Sequence, residues 1–269
     1  MNIIDLIKAG RLAEARSALV EQVRSRPNDS EARTLLFQVQ LLLGEWDKAG
    51  RHLEALASQD REANPAFVHY AAVLRAEQER RAVLGRQQSP SFLPATPAYA
   101  DLHFQACSRL TDGNQEEAAT LFTQIDELLP PVSGTVNGRE FTGIRNTDTG
   151  LAPFLETFAH GRYVLVPFEH IRELTLSPPE SLLDLIWATA SLTTWEGLTV
   201  NCTLPVLYPD SCRHDNDLVK MGKQTEWLPL GGPFCRGVGQ QVFDIGGEDV
   251  AILEITDIVF HFSDKGPDA

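Results

Sequence analysis

Small and apolar residues in the first half of the chain recur at offsets that a lone helix has no reason to keep. "GRLAEARSALVEQVRSRP" places Gly10, Ala15, Leu19 and Pro27 at positions that return as Gly113, Ala118, Phe122 and Pro130 in "GNQEEAATLFTQIDELLP". A third copy, "GEWDKAGRHLEALASQDR", keeps Gly44, Ala49 and Leu53 and has Arg61 where the proline would stand. Gly44 follows Gly10 by 34 residues and precedes Gly113 by 69, close to two further periods, which is the repeat length of a tetratricopeptide helix pair. Glycine opens the tight turn between paired helices, alanine lets them cross closely, and proline stops the second helix.

Between these markers the pattern is helical as far as about residue 131. After "PND", Ala32, Leu35, Leu36, Val39, Leu42 and Leu43 keep helical spacing, with Asn28 three residues before Glu31 as the N-cap. Trp46, Ala49, Leu53 and Leu56 continue it in the partner helix. From Pro65, Phe67, Tyr70, Ala71 and Leu74 begin a longer helix that turns polar and ends near Gly85, its tail projecting from the core. The Arg75, Arg80, Arg81 and Arg86 group, interleaved with Glu77 and Glu79, reads as a solvated helix face. "RQQSPSFLPATP" holds three prolines between Ser89 and Pro97, which excludes regular structure and makes 86–97 an irregular break in the third pair. Helices resume with Tyr99, Leu102, Ala106 and Leu110.

Beyond Pro131 the texture changes to short alternating or apolar runs punctuated by glycine and proline. "REFTGIRNT", "PFLETFAHG", "RYVLVPF", "LTVNCTLPVLY", "GVGQQVFDIGG" and "DVAILEITDIVFHF" read as strands. "PPESLLDLIWATA", with a cap at Ser181 and Leu182, Leu185 and Ile186 on one face, reads as a helix. The expected architecture is two-domain: an all-α, TPR-like helical repeat over 1–131, then an α+β domain over 132–269.

Charge narrows the range of partners. Residues 1–131 carry 14 basic and 18 acidic side chains (net −4), and 132–269 carry 9 and 19 (net −10), for −14 in all. A chain so acidic repels phosphate backbones, and nucleic acid is excluded as a partner. No apolar run reaches the roughly 18 residues of a membrane helix, and "MNIIDLIKAG" is amphipathic rather than a signal peptide, so a cytoplasmic protein is expected. Cys107, Cys202, Cys212 and Cys235 are scattered without a CxxC pair, which fits reduced thiols rather than a disulfide framework or zinc site.

The search for chemistry finds little. GxSxG, HExxH, Walker and dinucleotide motifs are missing, and "GVGQQV" has valine where a third glycine is needed, reading instead as a turn or bulge. Cys212, His214 and Cys235 could supply three metal ligands, though at no familiar spacing. Glu169, Glu173, Asp184, His160 and His170 lie near strand ends without a spacing that sets up a nucleophile. Asp184 is expected to cap or orient its loop, and Trp187 to pack between domain layers. No catalytic residue, metal or cofactor is assigned. The alternative is a hydrolase or metal-dependent enzyme in the C-terminal domain, with the repeats as substrate adaptor.

Repeat geometry gives candidate binding residues. In a tetratricopeptide pair the first helix lines the concave face, which directs Glu31, Thr34, Gln38 and Leu41, then His103, Cys107 and Leu110, toward a partner. His103 also reads as a satisfied core histidine. The repeat region presents an arginine-bearing surface and is the preferred docking platform.

Longer stretches carry a family likeness. "GRYVLVPFEHIRELTLSPPESLLDLIWATASL", "LPVLYPDS", "MGKQTEWLPL" and "GVGQQVFDIGGEDVAILEITDIVF" resemble the C-terminal domain of the ImpE (TagJ) family of type VI secretion accessory proteins, and "GEWDKAGRHLEAL" resembles its N-terminal repeat. The markers include Gly161, Tyr163, Pro167, Phe168, Pro179, Asp184, Leu185, Trp187, Pro205, Tyr208, Trp227, Gly237 and Gly239. One departure is "IRNTDTG", where the family pattern is more acidic and Asp148 is the only carboxylate. The resemblance implies a non-catalytic adaptor that binds a short helix of the small contractile-sheath subunit and connects it with the AAA+ unfoldase that recycles sheath.

Overall fold

The computed structural model describes residues 2–59 and 64–262. Its first half holds α1 (Ile3–Lys8), α2 (Leu12–Ser25), α3 (Ser30–Leu42), α4 (Trp46–Gln59), α5 (Asn64–Leu84), a short strand β1 (Ser91–Phe92), α6 (Ala100–Thr111) and α7 (Gln115–Leu128). Gly10, Gly44 and Gly113 lie in the turns α1–α2, α3–α4 and α6–α7, with φ of +67°, +69° and +78°, the left-handed region that favours glycine. Ala15, Ala49 and Ala118 are all fully buried, as the close crossing of paired helices demands. The cap of α3 is Asp29, whose side chain accepts from the Ala32 N–H, one residue beyond the expected Asn28.

The second half is a large mixed sheet with one short α-helix among the described residues, which agrees in part with the α+β domain expected. Its elements are β2 (Ser133–Val136), β3 (Arg139–Thr142), β4 (Ile144–Asn146), β5 (Phe154–Ala159), β6 (Arg162–Pro167), β7 (Ile171–Leu176), β8 (Trp187–Thr194), β9 (Thr199–Pro205), α8 (Asp217–Lys220), β10 (Glu226–Gly231), β11 (Phe234–Val238), β12 (Val242–Ile245), β13 (Glu248–Ala251) and β14 (Asp257–Phe260). Among the described residues, nine strands form one sheet in the order β1-β6-β5-β9-β8-β7-β14-β2-β3, and only β1 pairs in parallel. The order β13-β12-β4 makes a second sheet, and β10-β11 a hairpin.

Two expectations fail for identifiable reasons. "PPESLLDLIWATA" is no helix. Its helical signature is confined to one turn, where Asp184 Oδ2 accepts from the backbone N–H groups of Glu180 and Ser181 and from Ser181 Oγ. From Trp187 onward the chain is held in the β8–β9 ladder, Trp187 opposite Pro205. The proline-rich break, for its part, does contain regular structure: β1 adds to the sheet edge beside β6, where a short strand tolerates flanking prolines.

Alternation along the central strands assigns their two faces to two cores. Phe154 and Phe158 of β5, Tyr163 and Leu165 of β6, and Trp187 of β8 join the core of the helices. Leu155, Ala159, Val164, Val166, Ala188 and Ala190 enter a second core, shared with Phe141, Ile144, Phe243, Ile258 and Phe260. Residues from both ends of the strand order meet there, so the sheet curls around its own interior.

The helical repeat therefore has the sheet as its partner. The polar tail of α5, expected to project, is buried against it: Arg80 is 3% exposed and donates from Nε and Nη2 to the two Glu156 oxygens at 2.7 and 2.6 Å, and from Nη2 to the Leu207 carbonyl at 2.9 Å. Glu77 lies 3.5 Å from Arg80 Nη1. The inter-helix turns dock as well. Asp217 of α8 accepts from the Leu12 N–H at 2.8 Å, and a Cβ added to Gly44 would lie 2.7 Å from Cys212 Sγ. Trp187 stacks on Tyr70 and packs at a tilt against Trp46, each ring centroid 6.5 Å away, which meets the expectation that it packs between layers.

Arg80→Ala should lower the unfolding free energy by about 3–5 kcal/mol, because it leaves the Glu156 carboxylate buried and unpaired. The exposed Arg145–Asp244 pair, removed by Arg145→Ala, should cost under about 1 kcal/mol. Denaturant unfolding compares the two. Gly113→Ala should cost about 1–2 kcal/mol for its left-handed backbone, and Gly44→Ala more, since only Gly44 also meets a neighbouring side chain at close range.

Candidate binding groove and buried polar network

Helix periodicity places cations on one face of three neighbouring helices. On α4, Lys48, Arg51 and His52 lie at i, i+3 and i+4, while Ala49, Leu53 and Leu56 turn the opposite way into the core. Arg16 and Val20 are one turn apart on α2, and Arg33 and Gln40 two turns apart on α3. Together with Ser17 and Glu45 these residues line an open groove of about 640 Å³. Four cations face one carboxylate in a chain of net charge −14.

The groove's hydrogen bonding is incomplete. Glu45 Oε1 receives Arg16 Nη1 at 2.6 Å and Lys48 Nζ at 2.8 Å; burial pushes this carboxyl up, but those bonds and charges outweigh it and hold it below the usual range. Arg33 donates to the His52 ring at 3.3 Å and to the Pro27 carbonyl at 2.7 Å, neither of them anionic. Burial, then the charges of Arg33 and Arg51, lower the His52 pKa. Buried atoms without a partner include Arg33 Nε, Gln40 Oε1 and Glu45 Oε2, and all three belong to this groove.

None of the seven residues expected from repeat geometry lines it. Glu31 is exposed, Thr34 and Gln38 are half-buried, and Leu41 is in the core. Of the three on α6, His103 packs against the sheet half. His103 Nε2 lies 2.8 Å from the Gly150 carbonyl and its ring stands edge-on to Phe154 at 5.2 Å; Cys107 Sγ is 3.6 Å from that Nε2, and Leu110 is buried. Burial brings the His103 pKa down to about 4. The cations that line this groove leave a signal in the sequence: Lys48, Arg51 and His52 at i, i+3 and i+4 in an acidic chain.

The Arg80–Glu156 pair opens a polar chain through the sheet half. Tyr163 Oη and Gln241 Nε2 donate to Glu156 at 2.7 and 2.9 Å, Asn146 Nδ2 donates to Gln241 at 2.9 Å, and Tyr208 Oη reaches Asn146 Oδ1 at 2.9 Å. Asp148, 6% exposed, ends it by accepting from the backbone N–H groups of Gly150 and Gly237. Gly237 has to be glycine, since a Cβ there would lie 2.3 Å from the Tyr208 ring. Burial pushes the Asp148 carboxyl up to about 6 despite those two donors.

Nothing in this network is built as a nucleophile. Burial raises all four thiols, Cys107 and Cys202 to about 12. Glu169 accepts from Tyr99, Asp184 closes its own turn, and His160 sits at a hairpin with φ of +52°. Among the described residues no group of three His, Cys, Asp or Glu side chains could hold a metal ion, so Cys212, His214 and Cys235 do not assemble one.

A helical repeat whose open side is sealed by a curled sheet defines a class of two-part protein, and the comparisons identify it. The tetratricopeptide repeat model matches residues 6–74, which hold the groove, and the ImpE protein model matches 138–259, which hold every member of the polar network but Arg80. The type VI secretion system accessory component TagJ of Pseudomonas aeruginosa is 32% identical over 97% of this chain and 91% of its own length. The chain belongs to the ImpE family. The crystal structure of protein VPA1032 from Vibrio parahaemolyticus shares the fold, with a TM-score of 0.84 over 98% of each chain at 19% identity.

Asp148 should make stability depend on pH near 6. Its folded pKa of about 6 lies above the ordinary 3.8, so its favourable contribution is complete below about pH 4 and lost as pH rises through 6. The unfolding free energy of wild type relative to Asp148→Asn should fall by roughly 2–3 kcal/mol between pH 4 and 7.5. A difference that stays flat would contradict the assignment.

Proposed function

We propose that this chain is a non-catalytic, cytoplasmic adaptor of a type VI secretion system. Its helical repeats bind a helical segment of the small contractile-sheath subunit and link that subunit to recycling by the AAA+ unfoldase. The observation that carries the reading is the likeness to TagJ, which runs through both halves of the chain. Supporting it, the repeat presents an open groove between α2, α3 and α4, the kind of surface on which repeat proteins lay a partner's helix or extended segment. Among the described residues, no helix is long and apolar enough to cross a membrane.

The sheet half serves as the mount. It buries the open side of the repeat, so the groove is fixed before a partner arrives, and less conformational entropy is lost on binding. Calorimetric titration of the full-length protein with a peptide carrying the terminal helix of the small sheath subunit, from the same organism, tests the reading. The full chain is required because the helical half shares its core with the sheet. Saturable one-to-one binding is expected; no heat and no saturation would sink the sheath assignment.

A further inference from the structure

The groove's own chemistry says more about its occupant. Arg51 makes no hydrogen bond or ion pair among the described residues, and Arg33 is bonded only to uncharged groups, so two cations lack a counter-charge. Arg16 and Lys48 share a single carboxylate, Glu45. Gln40 lines the groove and is 3% exposed, yet its carboxamide makes no hydrogen bond. A buried amide without a partner is expensive, and native proteins rarely leave one so.

We propose that the α2–α4 groove seats an acidic segment of a protein partner, with carboxylates on Arg33 and Arg51 and a backbone or side-chain N–H on the Gln40 carboxamide. This deepens the adaptor reading and rests on it for the class of partner. Sulfate or another small anion without an O–H or N–H satisfies only the cations, because it has nothing to donate to the Gln40 carboxamide oxygen. The volume of about 640 Å³ is also far beyond one small anion and holds several side chains. A nucleic acid would bring its phosphates against Glu45 and the acidic remainder of the chain. A peptide supplies both what the arginines lack and what Gln40 lacks.

The probe is a fluorescein-labelled 15-residue helical peptide with Glu at every third or fourth position; its partner probe has Gln at each of those positions. Anisotropy titrations use the full-length protein at low salt, where surface electrostatics are least screened. The Glu peptide should saturate wild type at one-to-one and weaken at least tenfold against Arg51→Glu. It should weaken about threefold or more against Gln40→Leu, and not at all against Arg139→Glu on the exposed face of β3. Thermal midpoints of Arg51→Glu and wild type should coincide, since Arg51 is exposed and unpaired. Equal binding of the Gln peptide, equal binding to Arg51→Glu, failure of the Glu peptide to saturate wild type, or its complete displacement by millimolar inorganic phosphate would each overturn the proposal. The purified small sheath subunit is titrated in parallel. Glu-peptide binding without subunit binding removes the sheath assignment and leaves the groove; subunit binding untouched by Arg51→Glu, with the Glu peptide failing, does the reverse.

Discussion

The fold turns on one buried cation. An arginine cannot shed its charge at any accessible pH, so a fully enclosed guanidinium obliges the structure to bring carboxylate to it. Here Glu156, from the middle of the sheet, meets both forks of Arg80, and Tyr163 and Gln241 complete the carboxylate's hydrogen bonds. Glu77 adds a second carboxyl on the same helix, pushed up by burial. An ion pair of this kind adds little net stability over a well-packed apolar joint, but only one approach of helix to sheet satisfies it. Its role is to fix how α5 lies on β5 and β6, and with α5 the orientation of every repeat that packs on it.

Much of this fold was legible in the sequence because much of it is local. The glycine and alanine offsets mark the helix turns and crossings, and they depend only on backbone conformation and side-chain size over a few residues. Several strands of the second half, β3 to β6, β9 and β12 to β14, were legible for the same reason, whereas β2, β7, β8 and β10 were not read as strands. What could not be read was whatever depends on a distant partner. Arg80 looks like part of a solvated tail until Glu156, 76 residues on, is placed beside it. Leu182, Leu185 and Ile186 satisfy a helical period, yet the β8–β9 ladder claims the next residue. Of the binding residues derived from an ideal array, His103 is held by the Gly150 carbonyl of the sheet half, a contact that only the tertiary fold discloses.

The repeat glycines have a second use that spacing alone does not disclose. Gly10 and Gly44 open turns, and these turns also touch the 211–223 segment: Leu218 lies 3.2 Å from where a Gly10 Cβ would be, Cys212 lies 2.7 Å from that of Gly44, and Lys223 Nζ donates to the Lys8 carbonyl. At the third pair the β10–β11 turn takes over, with Gly231 hard against Gln115 and Phe234 packed on Phe122 at 5.1 Å. Each helix pair is thus tied to the sheet at its turn, in addition to the α5 joint.

Helix α4 connects the joint to the groove. Its start carries Trp46, which meets Trp187 of the sheet and lies beneath the Arg81 guanidinium at 4.9 Å, and its next turns carry Lys48, Arg51 and His52. The groove cations are therefore held by an element whose other face is locked into the core. This explains how four like charges can remain together with only one carboxylate, Glu45, among the groove's lining residues. Each side chain that keeps contact with water is screened, so their mutual repulsion costs little in the free protein. The same charges become strong only when a partner displaces that water, and an acidic segment is then favoured while a basic or neutral one is not. A rigid mount and an unneutralised groove together make selectivity a property of the complex, obtained at small expense to the stability of the protein alone.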